Sequence, residues 1–304
     1  MMQLNSESFK PVIHSGPLTT ITPPSTTYGQ DAWRRLKSNK LAMLGLYTIA
    51  LIIILALVGP WLSHISYSDQ DLLQTNKSPS AEHFFGTDNL GRDLFIRVLY
   101  GARISLAIGV VASLINLTIG VVYGGIAGFC GGRTDRIMMN IVDVLYGIPV
   151  LLYVILFMVI LKPGLMNIFI ALGVAYWLGM ARIVRGQVLL LKEQEYVLAA
   201  RTLGANNRRI LFRHLIPNSM GPIIITVTLA IPEAIFTEAF LSFIGLGVAA
   251  PLASWGVLAS EGVTSLQSYP FQLLFPALAI SITMLAFNFL GDGLRDALDP
   301  HMRR

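Results

Sequence analysis

Six stretches of this chain are too apolar and too poor in charge to sit in water, and each is long enough to cross a bilayer as a helix. The first runs from Leu41 to Ser63 and contains LYTIALIIILALVGPWL. The second is Ile104 to about Cys130, and the third Ile137 to Leu161, with Asp143 near its start. The fourth, Leu165 to Arg182, follows the break Lys162-Pro163-Gly164. The fifth, Ser219 to about Gly245, holds Glu233 and Glu238, and the sixth is about Phe271 to Leu290. An all-α membrane protein of six transmembrane helices is the fold class this pattern predicts.

Composition supports lipid as part of the solvent. Hydrophobic residues make up 54% and charged residues 13%, with mean hydropathy +0.64; soluble domains carry about twice that charge. The net charge of +5 does not point to nucleic acid, because Lys and Arg flank apolar runs and form no stripe. A single cysteine, Cys130, excludes an internal disulfide and a Cys-rich metal site. Residues 1–30 are polar and rich in Ser, Thr and Pro; they lack the apolar core of a cleavable signal and read as a disordered tail.

Six crossings put both termini on one side, and basic residues choose the cytoplasm for it. Arg34, Arg35, Lys37 and Lys40 precede the first span, Arg133 and Arg136 lie between the second and third, and Arg295, Arg303 and Arg304 follow the sixth. Arg185, Lys192, Arg201, Arg208, Arg209 and Arg213 lie between the fourth and fifth. The chain therefore divides into a cytoplasmic tail, 1–40, and a transmembrane domain, 41–304. The external segment 64–103 departs from the charge rule with Lys77, Arg92, Arg97 and Arg103, but it also carries Asp69, Asp71, Glu82, Asp88 and Asp93. Leu94, Phe95, Val98 and Leu99 suggest a short amphipathic helix leading into the second span. A second external segment, Gly247 to Pro270, suggests a helix on the membrane face with Trp255 at the interface.

Gly120, Gly124, Gly128 and Gly132 recur every four residues and share one helix face, which lets a neighbouring backbone approach closely. Such a face serves either sliding during transport or static packing. Acids at membrane depth are costly and face a cavity or a partner. Glu233 and Glu238 point about 140° apart on a helix, so one can border a substrate path while the other packs. Glu233 is the candidate for the path; a hydrogen bond to a neighbouring helix is the structural alternative.

The segment EQEYVLAARTLGANNRRILFRHLIP, residues 193–217, is too polar to span and too patterned for a passive linker. Glu195 to Leu203 favours helix, Gly204 fits the left-handed position after a helix end, and Asn206 or Asn207 can cap a second helix that ends by Pro217. Ala199 and Ala200 keep one face small, and Tyr196 and Leu203 flank them. The predicted element is a helix, a glycine turn and a helix: a docking surface, or an amphipathic loop packed on its own bundle.

This segment resembles the EAA loop of ABC-importer permeases: two alanines, three residues, a glycine, then an apolar run ending in proline. Ala199, Ala200, Gly204 and Pro217 match; Leu198 replaces the motif's glutamate, and His214 stands where many relatives have an aliphatic residue. FFGTDNLGRDLFIRVLYGARISLAIG (84–109), FLSFIGLG (240–247), SWG (254–256) and FNFLGDGLRDALDP (287–300) look like signatures of the C-type subunit of oligopeptide and dipeptide permeases. The resemblance implies a type I importer fold, a cytoplasmic coupling loop at 187–217, and docking of an ATPase on Tyr196, Ala199, Ala200, Leu203 and Gly204. It also implies a homologous B-type permease subunit, two ABC ATPase subunits and an extracytoplasmic peptide-binding protein as partners, in a bacterial inner membrane. Oligopeptides are the expected cargo, with dipeptides next and nickel or small solutes as alternatives.

The chain has no G-x-x-x-x-G-K-[ST] loop to cradle ATP phosphates, so no cofactor is expected in it, and ATP and Mg²⁺ belong to the partner ATPases. No zinc or serine-hydrolase motif appears, and His14, His64, His83, His214 and His301 are scattered. An ion-coupled secondary transporter would instead show ion sites and internal repeats, neither of which is clear here.

Overall fold

The computed structural model describes residues 27–63 and 65–299. Twelve α-helices account for most of them: α1 Tyr28–Ser38, α2 Lys40–Leu62, α3 Leu94–Cys130, α4 Gly132–Tyr146, α5 Val150–Leu161, α6 Leu165–Leu191, α7 Glu195–Thr202, α8 Asn207–Arg209, α9 Ile216–Asn218, α10 Met220–Phe243, α11 Trp255–Thr264 and α12 Phe271–Leu298. Helices α2, α3, α6, α10 and α12 are each long and apolar enough to cross a membrane, and α4 with α5 makes a sixth, bent span.

Helix α3 is the axis of the bundle. It packs along α6 and α10, while α2 lies against α3 and α12. Gly120, Gly124 and Gly128 explain the close α3–α6 pairing. A Cβ at these positions would come within 2.5 Å of the Met180 side chain, 2.2 Å of the Ala181 carbonyl and 2.9 Å of the Arg185 carbonyl. Gly132 does not continue the ridge: a Cβ there meets nothing within 4 Å. With Gly131 it forms the break between α3 and α4, at φ values of +65° and +56° that side-chain-bearing residues rarely adopt.

Two spans differ from their expected limits for one physical reason. The second was expected to begin at Ile104, after Arg97 and Arg103, yet α3 starts at Leu94 as one 37-residue helix. Arg97 is 1% exposed, and its guanidinium meets Asp88 and lies 2.7 Å from Glu261. Arg92 bonds the same two acids, at 2.6 and 3.2 Å. Arg92 and Arg97 are thus neutralised by Asp88 of their own segment and Glu261 of α11, and the helix the segment suggested is the first turns of α3. The fourth span likewise passes Arg182 and ends at Leu191, because Arg182 and Arg185 pair with Asp143 and Asp135 at 2.6 and 2.5 Å. The sixth passes Leu290 to Leu298.

The third span was expected to be continuous from Ile137 to Leu161. It is bent by 81° at Gly147-Ile148-Pro149. Proline disfavours helical geometry at Ile148 and donates no hydrogen bond of its own, so α4 stops and α5 restarts. At the N-terminal end, the expected tail at 1–30 lies largely outside the described residues, but from Tyr28 the chain is helical. Thr27 and Gln30 form a reciprocal capping box, and Leu36 packs on Ala42 and Ala297.

The other end of the bundle carries residues 65–93 and α11. Asp93 caps α3 through the Ile96 amide and accepts from His83 Nδ1 at 2.8 Å. Gln272 of α12 donates to Asn76 and to the Thr87 carbonyl. Trp255 is not an interfacial anchor: it is 2% exposed, its Nε1 donates to the Val98 carbonyl at 2.9 Å, and its backbone N–H donates to Ser105. The start of α11 is therefore inserted between α3 and α10 rather than laid on the membrane face.

Candidate functional site

At the end of the bundle where α6 stops and α10 begins, α7 to α9 form a folded knuckle. Its turn closes by two hydrogen bonds, Gly204 N–H to the Arg201 carbonyl and Ala205 N–H to the Ala200 carbonyl, both 3.0 Å. This is the pattern of a Schellman motif, and Gly204 supplies the required left-handed residue at φ +84°. Asn206 caps α8 by accepting the Arg209 amide at 2.8 Å. The chain then widens into a π-turn over Ile210–Leu215 and stays helical through Ile216–Asn218. The expected stop at Pro217 falls one residue later, at Asn218. The Ile216 N–H bonds back to Leu211 in the wider register, and the donor-free Pro217 falls in the first turn of α9, where no intrahelical donor is required.

One face of the knuckle is anchored. Val197, Ile210, Leu211 and Leu215 are buried against Met180, Val184 and Val188 of α6 and Ile223 of α10. The opposite face is open: Tyr196, Leu198, Ala199 and Phe212 are exposed, and Leu203 is 87% exposed. Ala200 is partly covered, and Arg201, Arg208, Arg209 and Arg213 surround the patch, exposed. Leu198 and Phe212 were not singled out from the sequence; only their accessibility in the fold assigns them to this face. Partial burial raises the Tyr196 hydroxyl above the ordinary phenol range, with a hydrogen bond from Asn218 opposing it.

Deeper in the bundle, a cavity of about 480 Å³ lies among α3, α6, α10 and the α4–α5 bend. Asn116, Tyr146, Pro149, Tyr176, Thr226 and Glu233 are among its lining residues. Glu233 therefore borders a cavity, whereas Glu238, on the same helix, is fully buried elsewhere. Glu238 Oε1 accepts from Ser242 and Ser254 at 2.7 and 2.6 Å, tying α10 to the capping residue of α11. Asp143 sits beside the cavity in its pair with Arg182, whose guanidinium lies 4.0 Å from the centre of the Tyr146 ring. Asn116 and Tyr176 escaped the sequence reading, which looked only for charges at membrane depth.

A family model described as "Binding-protein-dependent transport system inner membrane component" matches residues 120–304, which hold the knuckle and most of the cavity wall. The chain belongs to this permease family. A second model, "N-terminal TM domain of oligopeptide transport permease C", matches residues 27–79. The permease is 58% identical over 286 residues to the dipeptide transport system permease protein DppC of Bacillus subtilis, covering 94% of this chain and 89% of that one. It is 55% identical over 305 residues to the oligopeptide transport system permease protein OppC of the same organism, covering 100% of both. With OppC of Escherichia coli K12 the identity is 44% over 276 residues, covering 90% of this chain and 91% of that one. A solved structure titled for inward-facing conformations of the MetNI methionine ABC transporter shares the fold, with a TM-score of 0.54 and 18% identity over 67% of this chain and 96% of that one. The permease therefore has the type I ABC-importer fold that the sequence resemblance implied.

Proposed function

We propose that this chain is one transmembrane subunit of an ATP-driven importer that carries peptides across the bacterial inner membrane, and that the α7–Gly204 knuckle is where an ATPase subunit grips it. The observation that carries the reading is the 87% exposure of Leu203 at a turn fixed by two backbone hydrogen bonds. An apolar side chain held open on a rigid mount is a docking feature, and Ala199 beside it leaves room for a partner's side chains. The arginine rim suits an acidic border on the partner.

In this reading the knuckle and both termini face the cytoplasm, as the clusters Arg34, Arg35, Lys37 and Lys40 and Arg201 to Arg213 favour. ATP and Mg²⁺ are bound by the ATPases, and this chain carries no catalytic role. Residues 65–93 and α11 face the peptide-binding protein outside. A homologous second permease completes the path, covering the exposed stripe Ile137, Ile141 and Val144 of α4. The relatives are named for dipeptide and for oligopeptide transport, so peptide is the class of cargo, with its length set by the binding protein.

The test is co-purification and uptake with Leu203→Glu. A charge on the docking face is expected to abolish recovery of the ATPases with the permease and to abolish ATP-dependent peptide uptake, while the variant permease remains folded in the membrane. Uptake and co-purification at wild-type levels would contradict the reading.

A further inference from the structure

Two residues that line the cavity, Glu233 and Asn116, carry side-chain acceptors that the chain itself leaves unmet. The Glu233 carboxylate makes no hydrogen bond or ion pair among the described residues; only its backbone carbonyl is engaged, by Thr237 at 3.0 Å and Tyr176 at 3.4 Å. Tyr176 in turn bonds Thr237 at 2.6 Å, so both hydroxyls are committed away from the carboxylate. Across the cavity on α3, Asn116 is 3% exposed and its Oδ1 has no partner. A buried acceptor such as Asn116 Oδ1 is normally satisfied, and Glu233, exposed on the cavity wall, is an acid at membrane depth; the two together mark a site for something that arrives.

The chemistry of the arrival follows from the lining. It contains Glu233 and no lysine or arginine. Arg182, which lies over the ring of the lining residue Tyr146, is paired with Asp143 at 2.6 Å. A wall with one carboxylate and no cation favours N–H donors and positive charge, and repels added carboxylates.

We infer that Asn116 and Glu233 form an acceptor subsite for the amino and amide N–H groups of a passing peptide, so that this permease moves lysine-bearing peptides faster than glutamate-bearing ones. The inference rests on the cavity being part of the peptide path. Glu233 supplies the charge preference, and Asn116 serves N–H donors of either kind.

The experiment uses the complete transporter in proteoliposomes with its binding protein. Ala-Lys-Ala and Ala-Glu-Ala are supplied at concentrations that occupy the binding protein equally. Wild type is expected to import the lysine peptide about tenfold faster, the effect of one charge-assisted hydrogen bond. Glu233→Gln is expected to bring the ratio close to one, Glu233→Asp to keep it, and Asn116→Leu to slow both peptides alike. Assembly of each variant is checked by co-purification of the ATPases. Equal wild-type rates, or a ratio that Glu233→Gln leaves unchanged, would overturn the subsite while leaving peptide import intact. No ATP-dependent uptake of either peptide by wild type would overturn the functional reading and the subsite with it.

Discussion

Arg103 of α3 donates from Nε to the Ala56 carbonyl of α2 at 2.5 Å. That carbonyl sits four residues before Pro60, which has no N–H to give it. A second donor of Arg103, Nη2, reaches the Leu57 carbonyl at 2.8 Å. One side chain therefore supplies donors at the proline-opened end of the first span and fixes α2 to α3. Arg103→Ala is expected to destabilise the protein by about 1 kcal/mol, the cost of leaving the partly buried Ala56 carbonyl unmet. Arg103→Lys, with a single charged group, should recover only part. Thermal unfolding of the detergent-purified transporter checks both.

Asp88 holds Arg92 and Arg97 together, and Arg97 has almost no access to water. Asp88→Asn should cost about 3 kcal/mol, the lower end for breaking a buried pair, because Glu261 remains beside both arginines. Adding Arg97→Met should restore much of the loss. A double-mutant cycle on the unfolding midpoint measures the coupling, and strict additivity of the two changes would contradict the pairing.

The same charges account for much of what the sequence concealed. All six spans were legible as apolar runs, and the Gly204 turn and a cap at Asn206 or Asn207 were legible from residue type alone. The true lengths of α3 and α6 were not, because Arg97, Arg103, Arg182 and Arg185 look like span ends until their partners are known, and those partners lie far away in sequence. The bend at Pro149 had a visible local cause, but the strongly apolar run around it argued for continuity. Trp255 is amphipathic, and periodicity cannot say that its ring turns inward to the Val98 carbonyl. The cavity needed the fold, since Asn116, Tyr176 and Glu233 stand on three different helices.

Gly124 and Gly186 are both helical glycines, but only the first is in contact with another backbone. A Cβ on Gly124 would meet the Ala181 carbonyl, whereas one on Gly186 meets nothing within 4 Å. Gly124→Val is expected to force α3 and α6 apart at a cost of about 1–3 kcal/mol. Gly186→Ala should be neutral or stabilising by up to about 1 kcal/mol, since alanine loses less chain freedom in a helix. Unfolding midpoints of the two variants should move in opposite directions or differ by several degrees; equal shifts would contradict the close α3–α6 approach.

The most direct measurement is site-specific cross-linking from the knuckle. Cys130 is the chain's one cysteine, so Cys130→Ser followed by Leu203→Cys places a single thiol on the docking face, and Tyr67→Cys makes the matching control at the opposite end of the bundle. With a short thiol-reactive photo-cross-linker in intact membranes, Leu203→Cys is expected to yield an adduct with an ATPase subunit whose amount changes when ATP is added, and Tyr67→Cys none. Labelling of Leu203→Cys from outside the cell, or an adduct that never contains an ATPase, would contradict the assignment of this knuckle as the grip between motor and permease.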